Sequence, residues 1–254
     1  MNQNNENVDW LQFIRNAEFE NALKKFPVKK NIKVLEIGGG DGFIAKKIHD
    51  QGYEITSIDQ IPKYPQYFPV TKGNASKLSY EYETFDIIFS SHVLAHINEI
   101  DSFFNESKKI LKKNGLMIHI VPSNVWSIGT NFWHYILLPK MFIQWKKSNL
   151  KNNSDKEINT NKKVKVKNRI INILFLHPLG TNSSFIHEFY YFSKHEWKKI
   201  FKNQKFNIIS IENGPYFYSG HSILKNKLLK LRKILAKNGI TSSFCCVAKK
   251  DTLL

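Results

Sequence analysis

The chain has 254 residues, of which 42% are apolar and 13% aromatic, which excludes a wholly disordered protein and suits one domain with a large insertion. The formal net charge of +17 indicates either a general lysine bias or an anionic partner, such as a phosphorylated sugar, an anionic lipid or a nucleic acid. The only two cysteines, Cys245 and Cys246, are adjacent and poorly placed for a stabilising disulfide, so we expect a reducing, cytoplasmic location.

The sequence predicts no signal peptide and no spanning helix. The first nine residues are polar and rich in asparagine, without the apolar core of a signal peptide. The longest apolar stretch, residues 125–145, contains Asn131, His134, Lys140 and Gln144, whereas a spanning helix needs about 20 mostly uncharged apolar residues. This aromatic stretch is interpreted either as a lid over a cleft or as a helix that lies on an anionic membrane surface at the inner face of the membrane.

Strands and helices alternate along the first half of the chain. In chain order the pattern predicts a helix at 9–24, a strand at 32–37, a helix at 43–51, strands at 53–58, 68–71 and 85–89, a helix at 97–113 and a strand at 116–121. Such alternation is typical of an α/β fold with a doubly wound, mostly parallel sheet.

The regular pattern lapses after residue 121 and resumes at Ser193. A helix is predicted at 193–203, a strand at 206–211, a basic helix at 222–237 and a last strand at 242–248. We therefore expect a single domain, 1–254, made of an N-terminal helical region (1–30), a cofactor-binding core (31–123), an insertion for the substrate (124–192) and a C-terminal part of the sheet (193–254). Within the insertion, residues 149–168 are dense in Asn and Lys and predict a mobile surface loop.

A glycine-rich turn follows the first strand, where Glu36 precedes Gly38, Gly40 and Gly42. Glycines lack Cβ atoms and permit positive φ, so a small molecule can lie against the backbone N–H groups. Phe43 occupies the place of the last glycine in the nicotinamide fingerprint G-x-G-x-x-G. A cofactor without phosphates is therefore favoured over a dinucleotide.

An acidic residue ends the second strand. Asp59, followed by Gln60, comes 23 residues after Glu36. A carboxylate at the tip of the neighbouring strand is placed to accept both ribose hydroxyls of an adenosyl ligand. The glycine turn and this acid together predict an adenosyl-binding site.

With these motifs, residues 31–122 resemble the class I S-adenosylmethionine-dependent methyltransferases, in particular their small-molecule subgroup. Residues 73–75, Gly-Asn-Ala, correspond to the adenine-contacting loop, with Asn74 in place of the usual Asp and Ala75 beside it; the Asn carbonyl can still accept the adenine amino proton. Residues 85–97 and 110–116 match the motifs around the fourth strand and before the fifth. The resemblance implies a Rossmann-like, seven-stranded sheet with an antiparallel last strand.

The same resemblance implies the ligands. The cofactor is expected to be S-adenosyl-L-methionine, with S-adenosyl-L-homocysteine as the product. The expected cofactor-binding residues are those of the four motifs: Glu36, Gly38, Gly40, Asp59, Gln60, Asn74, Ala75 and Ser90.

A second likeness concerns the acceptor. Residues 126–135, 177–201 and 216–221 look like a branch of bacterial methyltransferases found in surface-polysaccharide pathways, which implies O-methylation of a sugar or glycoconjugate precursor. Two alternatives stay open: a lipophilic acceptor such as a quinone precursor, and an inactive S-adenosylmethionine-binding partner subunit. Nucleic-acid substrates are disfavoured, because residues 90–93 read Ser-Ser-His-Val where amino-methyltransferases of DNA carry Asn/Asp-Pro-Pro-aromatic.

Histidines are the candidate general bases, because their side chains exchange protons near neutral pH. His96 follows the fourth strand, where acceptors of this class approach, and His92 would share its face if the segment were helical. His187 has Glu188 beside it as a possible orienting carboxylate. A structural role for His96, or catalysis by proximity alone, stays open. No metal-ligand spacing stands out, which disfavours a metal-assisted mechanism.

Overall fold

A computed structural model gives the fold and describes residues 3–29, 31–151, 184–220 and 227–250. The loop predicted at 149–168 lies almost entirely outside the described residues, as do His177 and His221. The strands are β1 (Lys33–Ile37), β2 (Glu54–Asp59), β3 (Thr71–Lys72), β4 (Phe85–Ser91), β5 (Leu111–Pro122), β6 (Phe206–Asn213) and β7 (Ser243–Lys250). The helices are α1 (Gln3–Leu23), α2 (Phe43–Asp50), α3 (Ile100–Ile110), α4 (Asn124–Lys151), α5 (Phe185–Tyr191), α6 (Lys194–Asn203) and α7 (Leu229–Lys237).

The strands form one seven-stranded sheet in the order β3-β2-β1-β4-β5-β7-β6. The first five strands pair in parallel, and β7 pairs antiparallel with both β5 and β6. The predicted Rossmann-like architecture with an antiparallel last strand is confirmed. From β1 the chain first adds β2 and β3 on one side and then returns to add β4 and β5 on the other side. Ligands bind at the carboxyl ends of the strands at such a switch point.

Several boundaries differ from the sequence prediction, among them those of the third and fifth strands and of α3, which spans Ile100–Ile110 instead of 97–113. The third strand lies at residues 71–72 instead of 68–71, because Pro69 has no N–H to donate to a ladder. The fifth strand begins directly at the end of α3, at Leu111. Its register then shifts, so that Phe85 pairs with Leu111 and Ile87 with Leu116.

Both faces of the sheet are covered by helices. On one face α1 and α2 pack their apolar side chains against the sheet, with Phe19 and Ile48 beside Phe89. On the other face α3 and α6 also pack apolar side chains against the sheet, among them Phe104 and Trp197. The central strand β4 is buried on both sides, which explains its nearly continuous apolar sequence.

The insertion after β5 begins with the long helix α4, which continues through Pro139. Trp126 anchors its first turn by packing against Phe192, with ring centroids 6.5 Å apart. Farther along, one side of α4 exposes a set of apolar residues at helical spacing, named here the α4 apolar face: Ile128, Phe132, Tyr135, Ile136, Phe142 and Ile143. Within the described ranges, no helix combines the length and apolar character needed to cross a membrane.

Candidate active site

A cavity of about 560 Å³ opens at the carboxyl ends of the parallel strands. Its walls come from the loops after β1, β2, β3 and β4, together with one side chain of α1, Arg15. The predicted site residues among its lining are Gly38, Gly40, Asp59, Gln60, Asn74, Ala75 and His96. Residues from five separate stretches of sequence thus meet around one space.

The turn after β1 is held against β2 by its backbone. Gly38 and Gly39 both donate their N–H groups to the carbonyl of Ile58, at 2.8 and 3.0 Å. Gly38 has φ +78°, and a Cβ there would lie 2.2 Å from Cγ2 of Val93, so only glycine fits. Gly40 has φ +59°, and a Cβ there would meet nothing within 4 Å. The backbone at Gly40 therefore faces the open cavity.

Asp59 is positioned by the backbone of the turns around it. Its Oδ2 accepts the N–H of Gly40 at 2.8 Å, and its Oδ1 accepts the N–H of Ile61 at 2.8 Å. A carboxylate has about four lone-pair sites, so each oxygen keeps capacity for a further donor. The rigidly held carboxylate therefore suits a vicinal pair of ribose hydroxyls.

Glu36 lies behind the glycine turn and is buried. Ser57 donates its hydroxyl to Oε2 of Glu36 at 2.6 Å. Burial raises the pKa of Glu36 to about 7. The hydrogen bond from Ser57 opposes this increase, whereas the negative charges of Asp41 and Asp59 add smaller increases. Glu36 lines a second, smaller cavity next to the first, together with Gly38 and Arg15.

The loop after β3 carries Asn74 and Ala75 to the cavity wall. The side-chain oxygen of Asn74 accepts the backbone N–H of Ser76 at 2.9 Å. The carbonyl that we expected to take the adenine amino proton is therefore already bonded once, and its second lone pair is the one left for a ligand. The adenine contact stays a prediction.

Ser90 does not reach the cavity. Its side chain is buried in the core, where Oγ lies 2.7 Å from Nδ1 of His119 and the two are hydrogen-bonded. Burial lowers the pKa of His119 to about 3, so this imidazole is neutral. Successive side chains of a strand point to opposite faces, and it is Ser91 that lines the cavity. The side chain of Ser90 is therefore not available for the predicted cofactor contact, and Ser91 lines the cavity instead.

His92 and His96 both line the cavity. They do not share a helix, because His92 has a left-handed backbone, φ +58°, and only residues 94–96 form a short 3-10 turn. Partial burial lowers the pKa of His96, which favours its neutral, proton-accepting form. His96 occupies the predicted place at the end of β4, and its catalytic role stays a prediction.

His187 lies elsewhere. It is exposed on α5 and stacks against Tyr191 with ring centroids 6.2 Å apart, whereas its neighbour Glu188 is buried. His187 is not among the described residues that line the cavity. Its role as a base stays a prediction.

Sequence reasoning missed the contribution of α1. Arg15 lines both cavities and donates from Nη1 to Oε2 of Glu18 at 3.2 Å and to Oγ of Ser91 at 3.4 Å. Nε2 of His92 lies 3.0 Å from the same oxygen of Glu18. Arg15 and Glu18 lie more than seventy positions before Ser91 and His92 in the sequence. The helical pattern of α1 carried no signal of a functional role.

The residues present fit an adenosyl cofactor. The cavity offers an open backbone wall at Gly40, the positioned carboxylate of Asp59, and the polar loop of Asn74. Arg15, whose guanidinium contacts Ser91, also lines the cavity and would suit the carboxylate of such a cofactor.

The comparisons with known proteins agree with this geometry. Residues 35–119 match the family described as methyltransferase domain. An S-adenosylmethionine-dependent methyltransferase structure from Mesorhizobium loti is 12% identical, with a TM-score of 0.53 and coverage of 92% of this chain and 98% of that one. Another, from Archaeoglobus fulgidus, is 14% identical, with a TM-score of 0.55 and coverage of 94% of each chain. Residues 35–119 thus form a methyltransferase domain, in a chain with the fold of S-adenosylmethionine-dependent methyltransferases.

This chain is also similar in sequence to curated proteins, two of which share one name. The ubiquinone biosynthesis O-methyltransferase of Pelagibacter ubique is 29% identical over 163 residues, which are 51% of this chain and 68% of that protein. An enzyme of the same name from Rhodopseudomonas palustris is 25% identical over 158 residues, 54% of this chain and 61% of that protein. The similarity thus spans about two thirds of each of these two relatives and about half of this chain.

Proposed function

We propose that this chain transfers the methyl group of S-adenosylmethionine to a hydroxyl oxygen of a lipophilic quinone precursor. The observation that carries this acceptor class is the shared name of the two curated relatives, both ubiquinone biosynthesis O-methyltransferases. The sugar or glycoconjugate acceptor that the sequence favoured finds no support among these relatives. It enters the experiment below as a competing outcome.

Oxygen methylation places two demands on the protein. The acceptor hydroxyl must be held in line with the methyl group, about 3 Å away, and its proton needs an acceptor. The cofactor supplies the methyl group as an activated sulfonium. The imidazoles of His92 and His96 in the cavity wall support the second demand, since a neutral imidazole accepts a proton near pH 7.

A lipophilic acceptor would reach the cavity from a membrane surface. The α4 apolar face supports such contact, because exposed apolar side chains at helical spacing suit the boundary of a bilayer. The basic helix α7 adds exposed Lys230, Lys233 and Lys237, which favour anionic lipid headgroups. Peripheral contact with an anionic membrane is therefore part of the proposal.

The acceptor is tested by a turnover screen with labelled S-adenosylmethionine and the full chain. The panel contains prenylated phenols and catechols, short-tailed analogues of them, sugar nucleotides and lipid-linked sugars. We expect label in a prenylated catechol or phenol. Label in a sugar acceptor would replace the proposed acceptor class, and cofactor binding without turnover on any acceptor would favour the inactive partner subunit.

Membrane contact is tested by flotation with vesicles containing anionic phospholipid. We expect the wild type to float, and the double variant Phe132→Ser/Ile136→Ser in the α4 apolar face to stay in the soluble fraction. Ile209→Ser, on the exposed side of β6, is the matched control and should float like the wild type. A wild type that stays soluble overturns this part of the proposal.

A further inference from the structure

A group of polar contacts around a buried carboxyl group joins α1 to the end of β4. Glu18 is buried, although its side chain ends in a carboxyl group. Its Oε2 receives Nη1 of Arg15 at 3.2 Å and lies 3.0 Å from Nε2 of His92. The imidazole of His92 lines the cavity. A buried carboxylate thus orients a histidine that faces the candidate substrate space.

The ion pair with Arg15 favours one tautomer of His92. An ionised Glu18, which accepts from Arg15, can only accept a hydrogen bond, so we assign the shared proton of the Glu18–His92 contact to Nε2. In the neutral ring the lone pair then lies on Nδ1. Nδ1 has no hydrogen bond to any group in the described part of the chain.

The charge balance favours that neutral ring. Arg15 and Glu18 already form an ion pair at 3.2 Å, with Glu18 almost completely buried. A charged His92, whose side chain is 11% exposed, would place a second positive charge beside a carboxylate that Arg15 already neutralises. Tyr218 also lies near Glu18. Burial raises the pKa of Tyr218 well above its usual range, and the charge of Glu18 raises it further. Tyr218 therefore stays protonated and cannot serve as the base.

The backbone of His92 has an unusual conformation that a hydrogen bond holds in place. His92 adopts φ +58°, a conformation that costs free energy for a residue other than glycine. Its N–H donates to the carbonyl of Ile120 at 2.7 Å, which holds the turn at the end of β4. From this turn the imidazole of His92 reaches Glu18, and His92 lines the cavity.

We propose that His92 is the catalytic base for the acceptor hydroxyl and that Glu18 is its positioning residue. The acceptor proton moves to Nδ1 of His92, and the electron pair of the broken O–H bond stays on the oxygen for the new O–C bond. The methyl group leaves the cofactor, whose sulfur keeps the S–C electron pair and becomes a neutral thioether. The base assignment rests on the proposed O-methyltransferase function.

The variants are chosen so that the fold is kept. His92→Asn removes the base, and Asn tolerates the left-handed backbone better than most residues. Glu18→Gln removes the charge of the positioning residue. The matched controls are Glu20→Gln, on the exposed side of the same helix, and His195→Asn, exposed on α6.

Three quantities are measured: kcat with the acceptor from the screen, the Kd of S-adenosylhomocysteine by calorimetry, and the ring tautomer of His92 by ¹⁵N NMR. We expect His92→Asn to lower kcat by about 100-fold or more with an unchanged Kd, and Glu18→Gln to cause a smaller loss of kcat. The NMR signal that disappears in His92→Asn should show a neutral ring with its proton on Nε2, and Glu18→Gln should shift it toward a mixture of tautomers.

Wild-type kcat in His92→Asn would overturn the proposal, as would a His92 ring with its proton on Nδ1 or a ring charged at pH 7. The NMR measurement needs no acceptor. If the screen yields no methylated product, the proposed function fails, while the tautomer still decides whether Glu18 and His92 form the dyad. Losses in both control variants equal to those in Glu18→Gln and His92→Asn would indicate a general effect on folding and also overturn it.

Discussion

Gly40 donates its backbone N–H to Oδ2 of Asp59 at 2.8 Å, and this bond joins the two sequence motifs that predicted the cofactor site. The glycine turn after β1 and the acid at the end of β2 are thereby locked to each other. The carboxylate is held in place before any ligand arrives, so little ordering is needed on binding.

The first prediction concerns this carboxylate. Asp59→Ala should weaken the binding of S-adenosylmethionine by about 1–3 kcal/mol, because charge-assisted hydrogen bonds to the ribose hydroxyls are lost. Isothermal titration calorimetry measures the change. Asp50→Ala, at the exposed end of α2 where Asp50 pairs with Lys46, is the control and should bind normally. Equal affinity in Asp59→Ala would refute the ribose assignment.

Gly38 allows a second prediction about the glycine turn. Gly38→Ala should lower the free energy of unfolding both through its positive φ, at about 1–2 kcal/mol, and through the clash with Val93, at about 1–3 kcal/mol more. Gly52→Ala carries a similar φ of +86° with nothing within 4 Å of its Cβ, so it isolates the backbone contribution. Urea unfolding of both variants measures the difference.

The double variant Gly38→Ala/Val93→Ala sharpens this test. Shortening Val93 removes Cγ2, the atom that a Cβ at Gly38 would meet at 2.2 Å. We expect part of the loss caused by the clash to be recovered, with the backbone contribution remaining. Identical losses in Gly38→Ala and Gly52→Ala would contradict the close approach of Val93.

Glu36 predicts a pH dependence of stability. Its pKa is raised from 4.5 to about 7 by burial, so the folded state holds its proton more tightly than the unfolded state does. The stability contribution of the protonated form is therefore complete below about pH 4.5 and is lost as pH rises through 7. A shift of this size corresponds to about 3 kcal/mol.

Glu36→Gln removes this titration. In the ligand-free protein, the free energy of unfolding of the wild type should fall more steeply between pH 5 and pH 8 than that of Glu36→Gln, by up to about 3 kcal/mol. Urea unfolding at several pH values gives both curves. Parallel curves would show that Glu36 ionises freely and is hydrated in the folded state.

Ser90 yields a prediction that separates a core role from a cofactor role. Ser90→Ala should lower the free energy of unfolding by about 0.5–1.5 kcal/mol, because the hydrogen bond to buried His119 is lost. The affinity for S-adenosylhomocysteine should not change. Weaker cofactor binding at unchanged stability would restore the original prediction from the sequence and remove the correction made from the structure.

His96 provides the last prediction. His96→Ala should lower kcat by less than His92→Asn does, because His92 has the buried carboxyl group of Glu18 as a partner, whereas the side chain of His96 has no hydrogen bond in the described part of the chain. Steady-state kinetics on both variants make the comparison. A larger loss in His96→Ala would move the base to His96, as the sequence analysis expected.

The α/β class, the parallel sheet with its antiparallel last strand, and the cofactor motifs were all predictable from the sequence. Each of these depends on short contiguous patterns: a strand that ends at glycines, an acid that ends the next strand, or a helix that begins at Ser193. Local backbone preferences and the periodicity of apolar residues determine such features, so they can be read along the chain. The ends of elements were less certain, as β3 and β5 show, because tertiary pairing overrides local preference there.

What only the tertiary structure decided are relations between distant segments. At the end of β4, the alternation of side chains places Ser91 at the cavity and Ser90 in the core. The sequence of β4 is apolar on both faces, so it does not reveal which side chains point in which direction. The contact of Glu18 with His92 depends on how α1 packs across the sheet, 74 residues away along the chain. No local pattern encodes such packing, since it results from the burial of α1 against the whole sheet.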